Sequence, residues 1–159
     1  MSRTVFDLDK IDRRILQILQ QQGRISNIEL SREVDLSPTP CLERVRRLEK
    51  DGFIEKYVAL SNPAKLGLGI SAFIEVTLTN TATKDLKEFG REMKNLPEVV
   101  ACHMVAGGFD YLIQIRVADM LGYQQFLGEK LGALPLVSQT HTYVVIEEVK
   151  SETALPVSI

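Results

Sequence analysis

Apolar residues open the chain at helical spacing. Leu8, Ile11, Ile15, Leu16, Ile18 and Leu19 predict a first helix over residues 9–22, with Asp7 and Asp9 favouring its start and Gly23 stopping it. Ser26 is a natural N-cap for a second, shorter helix over 27–34, whose apolar positions are Ile28, Leu30 and Val34. Only Asp35 and Leu36 separate it from a third helix. There Ser37 can cap with its hydroxyl, Pro38 suits the first helical position, and Gly52 can take the left-handed conformation that ends a helix. Cys41, Val45 and Leu48 fall on one side of this helix, with Leu42 at the edge. Thr39, Pro40, Glu43, Arg46, Arg47 and Lys50 fall on the other. Residues 53–60 then alternate loosely and predict a short strand or wing.

Two short helices joined by so tight a turn, the second one basic, form a helix-turn-helix layout. In that layout the second helix enters the major groove of double-stranded DNA and its N-terminal residues meet base edges. Ser26, Asn27, Ser37, Thr39, Pro40, Glu43, Arg44, Arg46, Arg47 and Lys50 are the candidate DNA-binding residues. Pro40, rigid and lacking an N–H, fits against a thymine methyl or a sugar. Asp9 and Asp12 on the first helix read as solvated.

After residue 60 the pattern changes. One Pro and two Gly within residues 61–69 break both periodicities and mark a linker. A strand over 70–78 follows, with Ala72, Ile74, Val76 and Leu78 on one face. A helix over 85–96 aligns Leu86, Phe89, Met93 and Leu96, and Pro97 ends it. Strands over 99–105 and 109–117 flank Gly107-Gly108, which reads first as a hairpin turn. A helix over 120–131 and a strand over 140–149 complete the series. The order is βαββαβ, so the fold class is α+β: an N-terminal winged helix-turn-helix (residues 6–60), a linker (61–69), a ferredoxin-like domain (70–150) and a tail (151–159). A small sheet with helices on one face turns Phe73, Tyr143 and Val145, or their alternates, toward water, and such a surface predicts a homodimer.

Composition narrows the classes. The chain of 159 residues has 45% hydrophobic and 25% charged residues, as a soluble globular protein does. No apolar run reaches the ~20 residues of a membrane span, and the first residues lack the apolar core of a signal peptide, so a cytoplasmic location without a membrane partner is expected, and a DNA-binding chain there is nucleoid-associated. Net charge is −2, split as +1 over residues 1–60 and −3 over the rest. Positive charge is therefore local to the third helix rather than spread over the chain. Cys41 and Cys102 lie far apart, with no paired spacing for a metal or a disulfide framework. Cys102 and His103 are consecutive strand residues and point to opposite faces, so they cannot form a nucleophile–base pair. His141 has no metal-ligand spacing to His103. No catalytic residues, metal or cofactor are expected, and the chain does not read as an enzyme. The alternative is a metabolic sensor or enzyme built on the ferredoxin-like half, with no DNA binding.

Several motifs carry a family resemblance. They are Leu8-Asp-Lys-Ile-Asp-Arg-Arg-Ile-Leu16, Gly23-Arg-Ile-Ser-Asn27, the run from Leu36 to Glu49, Gly107-Gly-Phe-Asp-Tyr-Leu112 and the run from Thr142 to Lys150. In these the chain resembles the Lrp/AsnC family of feast/famine transcription regulators, over about Phe6 to Lys150, and more the leucine-responsive than the asparagine-responsive branch. The resemblance implies a winged helix-turn-helix followed by a RAM-type effector-binding domain, assembled as dimers and as octamers of four dimers. It also implies a free amino acid, leucine or alanine-like, that tunes assembly or DNA affinity and so controls amino-acid metabolism genes. It places the effector around the glycine turn, between domains of neighbouring dimers: Ala106, Gly107, Gly108 and Asp110, with Met104, Met120, Tyr143 and Val144 as an apolar lining. Exposed glycine N–H groups can form a nest for a carboxylate, and Asp110 can hold the ammonium. Many members carry an acidic or polar residue where this chain has Gly108, a departure that bears on effector preference.

Overall fold

The computed structural model describes residues 8–158. Asp7 and Phe6 lie outside them. The chain divides into two compact units: residues 8–60 together with 150–158, and Ser61–Val149.

The first unit is built on three helices, α1 (Lys10–Gln21), α2 (Asn27–Glu33) and α3 (Pro38–Lys50). Each start is fixed locally. Asp9 caps α1 and Ser26 caps α2, both through reciprocal bonds with the third helical residue, Asp12 and Glu29. Ser37 stands at the N-cap of α3 with extended backbone and Pro38 follows, but the Ser37 side chain makes no capping bond, contrary to the sequence expectation. Its hydroxyl stays free at the exposed end of the helix. Asp35 takes φ 54° in the tight turn between α2 and α3, a conformation that short Asn and Asp side chains tolerate. Gly52 (φ 79°) ends α3. Leu8, Ile15, Leu16, Ile18, Leu30, Val34, Cys41 and Leu48 form the core, with Val45, Phe53 and Val157 against it.

The expected strand over 53–60 is absent. The Phe53 and Ile54 N–H groups both bond to the Leu48 carbonyl, and the rest is irregular. A strand needs a hydrogen-bonding neighbour, and the described residues supply none here. Tyr57, Val58 and Leu60 are left exposed.

In the second unit, Ala64–Leu66 makes one 3-10 turn that Gly67 closes at φ 74°. A four-stranded antiparallel sheet follows, ordered β2 (Val99–Met104), β3 (Tyr111–Val117), β1 (Ile70–Leu78), β4 (Val137–Val144). Helices α4 (Thr83–Asn95) and α5 (Met120–Gln125) send Phe89, Met93 and, from the turns after α5, Phe126 and Leu131 onto one face of it. There they meet Ala72, Ile74, Val76, Leu78, Tyr111, Ile113, Ile115 and Val117, the alternate residues the sequence pattern picks out. Residues Phe126–Leu131 continue α5 with the wider π-helical turn. Strand β4 begins and ends earlier than its sequence pattern suggests. Its pairing runs from Val137 opposite Leu78 to Val144 opposite Ala72, so the extent of β1 sets its length. Ile146 and Val149, beyond that partner, are exposed.

Candidate nucleic-acid interface and effector site

The three short helices set α3 against a buried carboxylate. Asp12, in the first turn of α1, is almost fully buried within the helix's apolar stripe. Its Oδ1 accepts from Arg44 Nη1 at 2.8 Å and its Oδ2 from Arg47 Nη2. Arg44 Nη1 also reaches Asp9 Oδ2 at 2.6 Å. Asp9 and Asp12 are therefore not simply solvated, as their sequence context suggested: Asp12 is an internal anion neutralised by two guanidiniums from α3. An unpaired carboxylate at that position would cost several kcal/mol. Burial pushes the Asp9 carboxyl up, but the Asp12 amide and the Arg44 guanidinium outweigh it and hold it below its ordinary range. The hydrogen bond to Asp9 in turn raises Arg44, against the effect of burial.

The ten candidate DNA-binding residues sort into two groups. Ser26 is spent on the α2 cap, where its hydroxyl meets Glu29 Oε2 at 2.7 Å. Asn27 donates from Nδ2 to the Pro38 carbonyl at 2.8 Å and so ties the start of α2 to the first turn of α3. Arg44 and Arg47 face α1. Ser37, Thr39, Glu43, Arg46 and Lys50 are exposed, and Pro40 is half-buried. Helical geometry of about 100° per residue puts Thr39, Glu43, Arg46 and Lys50 within about 60° of one another, opposite the buried Cys41 and Leu48 and the half-buried Val45. Burial also raises the Cys41 thiol, which suits a small core residue better than a reactive one. Tyr57 donates to Glu49 Oε1 at 2.9 Å, and burial together with that carboxylate pushes its phenol up to about 12.

The segment that returns to this unit was legible only as a tail. It lies along α1, where Arg13, Gln17 and Gln20 (one helical face) donate to the carbonyls of Ser158, Val157 and Leu155. The Leu155 N–H donates back to Gln20 Oε1 at 2.6 Å. Val157 enters the core. A groove of about 690 Å³ runs between α1, residues 53–57 and this segment.

In the second unit the predicted effector residues fall at opposite ends of the sheet. Met104, Ala106, Gly107, Gly108 and Asp110 lie at the β2–β3 hairpin, closed by the Val105 N–H bonding to the Asp110 carbonyl. Met120, Tyr143 and Val144 lie at the other end, where β1 begins. Met104 is on β2 and Val144 on β4, with two strands between them, about 14 Å across the sheet. Within one chain they do not line one pocket. Met104, Met120, Tyr143 and Val144 are all exposed. Neither Gly107 nor Gly108 takes a left-handed conformation. A side chain at either position would meet nothing within 4 Å. Asp110 Oδ2 accepts the Leu78 N–H at 2.8 Å, which commits one carboxylate oxygen to holding the end of β1. Cys102, half-buried, has its thiol raised by burial. Lys130 pairs with Glu98, a contact that sequence spacing did not signal. Among the described residues there is no cluster that could hold a metal ion and no helix long and apolar enough to cross a membrane.

A helix-turn-helix unit joined to a ferredoxin-like unit defines a DNA-binding transcription regulator with a separate ligand-binding domain. Residues 8–55 match a winged helix-turn-helix DNA-binding domain, and residues 71–155 match the Lrp/AsnC ligand binding domain. The chain belongs to the Lrp/AsnC family. It is similar to the leucine-responsive regulatory proteins of Escherichia coli K12 and Klebsiella pneumoniae, each 54% identical over 149 residues that span 94% of this chain and 91% of the relative. Among solved structures it resembles a Neisseria meningitidis transcriptional regulator in complex with L-Met (TM-score 0.90, 39% identity, 94% of this chain and 96% of that one). It also resembles an AsnC family regulator from Agrobacterium tumefaciens (TM-score 0.89, 31% identity, 94% and 97%).

Proposed function

We propose that this regulator presents the outer face of α3 to the major groove of double-stranded DNA and acts as a homo-oligomer tuned by a free amino acid with an apolar side chain. The exposed stripe Thr39, Glu43, Arg46 and Lys50, on a helix pinned from behind by Asp12, carries the DNA-binding part of this reading. Ser37 and Pro40 flank it, while Ser26, Asn27, Arg44 and Arg47 position it.

The split effector set supports an oligomer. An amino acid touching both Met104–Asp110 and Met120, Tyr143 or Val144 needs the two groups from two copies of the chain. The open sheet face, with Phe73 opposite Tyr143, and the unpaired apolar run Tyr57–Leu60 supply surface for association. The relative solved with L-Met favours amino acids over other metabolites.

The test is fluorescence anisotropy on DNA from upstream of the protein's own gene, with each common amino acid added in turn. Tight binding that one amino acid shifts is the expected result. Affinity no better than for random DNA, repeated on genome-selected fragments, would overturn the reading.

A further inference from the structure

We propose that Glu43 and Arg46 are the specificity-determining pair of α3, Glu43 selecting cytosine and Arg46 selecting guanine one to two base-pair steps away. This rests on the reading of α3 as the major-groove helix.

The basic residues of α3 do not contribute alike. Arg44 and Arg47 have their donors on Asp9 and Asp12. Arg46 is exposed and has no ion-pair or hydrogen-bond partner among the described residues, and the same holds for Glu43. Both stand at the pole of the helix opposite its core, about 4.5 Å apart along the axis. A base-pair step is about 3.4 Å, so they face pairs one to two steps apart.

A free carboxylate at that pole is a liability against a polyanion unless it meets a donor. It accepts hydrogen bonds and cannot donate them. On the major-groove edge the donors are the exocyclic amines, cytosine N4 and adenine N6. Adenine sets its N7 lone pair beside N6, which repels a carboxylate, whereas cytosine has no acceptor beside N4. Cytosine is therefore favoured. Arg46, with a free planar fork of donors, matches guanine O6 and N7. Thr39 and Lys50 bracket the pair at about 6 Å on either side, Lys50 within reach of a phosphate.

The experiment is selection from random-sequence duplexes by the full chain, with sequencing of the bound pool, for the parent, Glu43→Gln, Glu43→Ala and Arg46→Ala. Glutamine has the shape of glutamate but carries a donor beside its acceptor, which suits adenine N6 and N7. The expected parent half-site holds a cytosine and a guanine within two steps. Glu43→Gln moves the cytosine preference to adenine, by about tenfold or more. Glu43→Ala makes that position degenerate, and Arg46→Ala does the same at the guanine. Thermal midpoints stay at the parent value, because neither side chain has a partner among the described residues to lose. Overturning results are a half-site unchanged by Glu43→Gln and Glu43→Ala with affinity raised equally for all sequences, or lost selectivity accompanied by a lowered midpoint. A parent that selects no sequence would overturn the DNA-reading function itself.

Discussion

Removing the Asp12 carboxylate is the sharpest perturbation of the DNA-binding unit. Its side chain is 2% exposed, and those of its partners Arg44 and Arg47 are 25% and 38% exposed. In Asp12→Ala, Arg44 keeps Asp9 but Arg47 keeps no acidic partner among the pairs observed. Breaking a fully buried pair costs about 3–5 kcal/mol. Water reaches both guanidiniums here, which reduces that to about 2 kcal/mol. Loss of the Asp9–Asp12 capping box adds about 0.5 kcal/mol. For a unit of this size about 2–3 kcal/mol corresponds to a fall in Tm of about 10–20 °C. Far-ultraviolet circular dichroism of the full chain reports it, since helices dominate this unit. DNA binding supplies a second readout whose sign is diagnostic. The variant loses a negative charge, so if Arg44 and Arg47 served only as charge for phosphates, it would bind all DNA more tightly. If they position α3, specific binding weakens while non-specific binding does not. A Tm change worth less than about 0.5 kcal/mol, the ordinary size of a surface substitution, would refute the buried-anion argument.

Other outcomes follow from the same geometry. Val157→Asp places a charge where the returning segment enters the core and should lower the melting point of the DNA-binding unit by more than Leu155→Asp, whose side chain is 74% exposed; paired melting curves check this. Gly52→Ala forces a side chain into φ 79°, with open space around the added carbon, so backbone strain alone should cost about 1 kcal/mol in a denaturant titration. The Tyr57 phenol, pushed up to about 12, favours the folded state below its unfolded value near 10. That contribution is lost as pH rises through about 12, so the parent and Tyr57→Phe should converge in stability only at the alkaline end of a pH series. At the acid end the lowered carboxyls of Asp9 and Glu98 contribute stability above the ordinary carboxylate range and lose it as pH falls through their folded values, which an acid unfolding curve reports.

What could be read from the sequence was what is settled within a few residues. Ser26, Pro38 and Gly52 mark helix ends because capping is a contact over three or four positions. Alternation along β1 and β3 marked the buried face because one pleat period decides it. Asp12 was misread, although its signal was present. Leu8, Ile15, Leu16 and Leu19 stand at i−4, i+3, i+4 and i+7 from it, so it lies within the apolar stripe, where a carboxylate must have a partner. Arg44 and Arg47, three apart on another helix, are that partner, and only the tertiary fold joins them. The strand over 53–60 failed for a different reason, because alternation gives a strand a shape but not a neighbour. The effector residues were gathered by resemblance onto a site between neighbouring dimers, and one chain keeps them at two ends of its sheet, a separation that no local pattern in the sequence marks.

The pairing of Arg44 and Arg47 also changes how the charge of this regulator bears on its DNA affinity. Four cationic residues on α3 suggest a strongly attracted helix. Two of them are neutralised by Asp9 and Asp12, and on the outward stripe Glu43 offsets one of the remaining two. Counterion release scales with the phosphates a protein neutralises, so one such helix gains little non-specific affinity. Weak non-specific attraction makes base contacts a larger share of the total, which favours discrimination over tightness. The missing affinity then comes from number. In the homo-oligomer we propose, a second α3 reaches its half-site at the effective concentration set by the first, and modest single-site affinities multiply without new contacts. An amino acid that changes how copies associate therefore changes DNA affinity without touching α3.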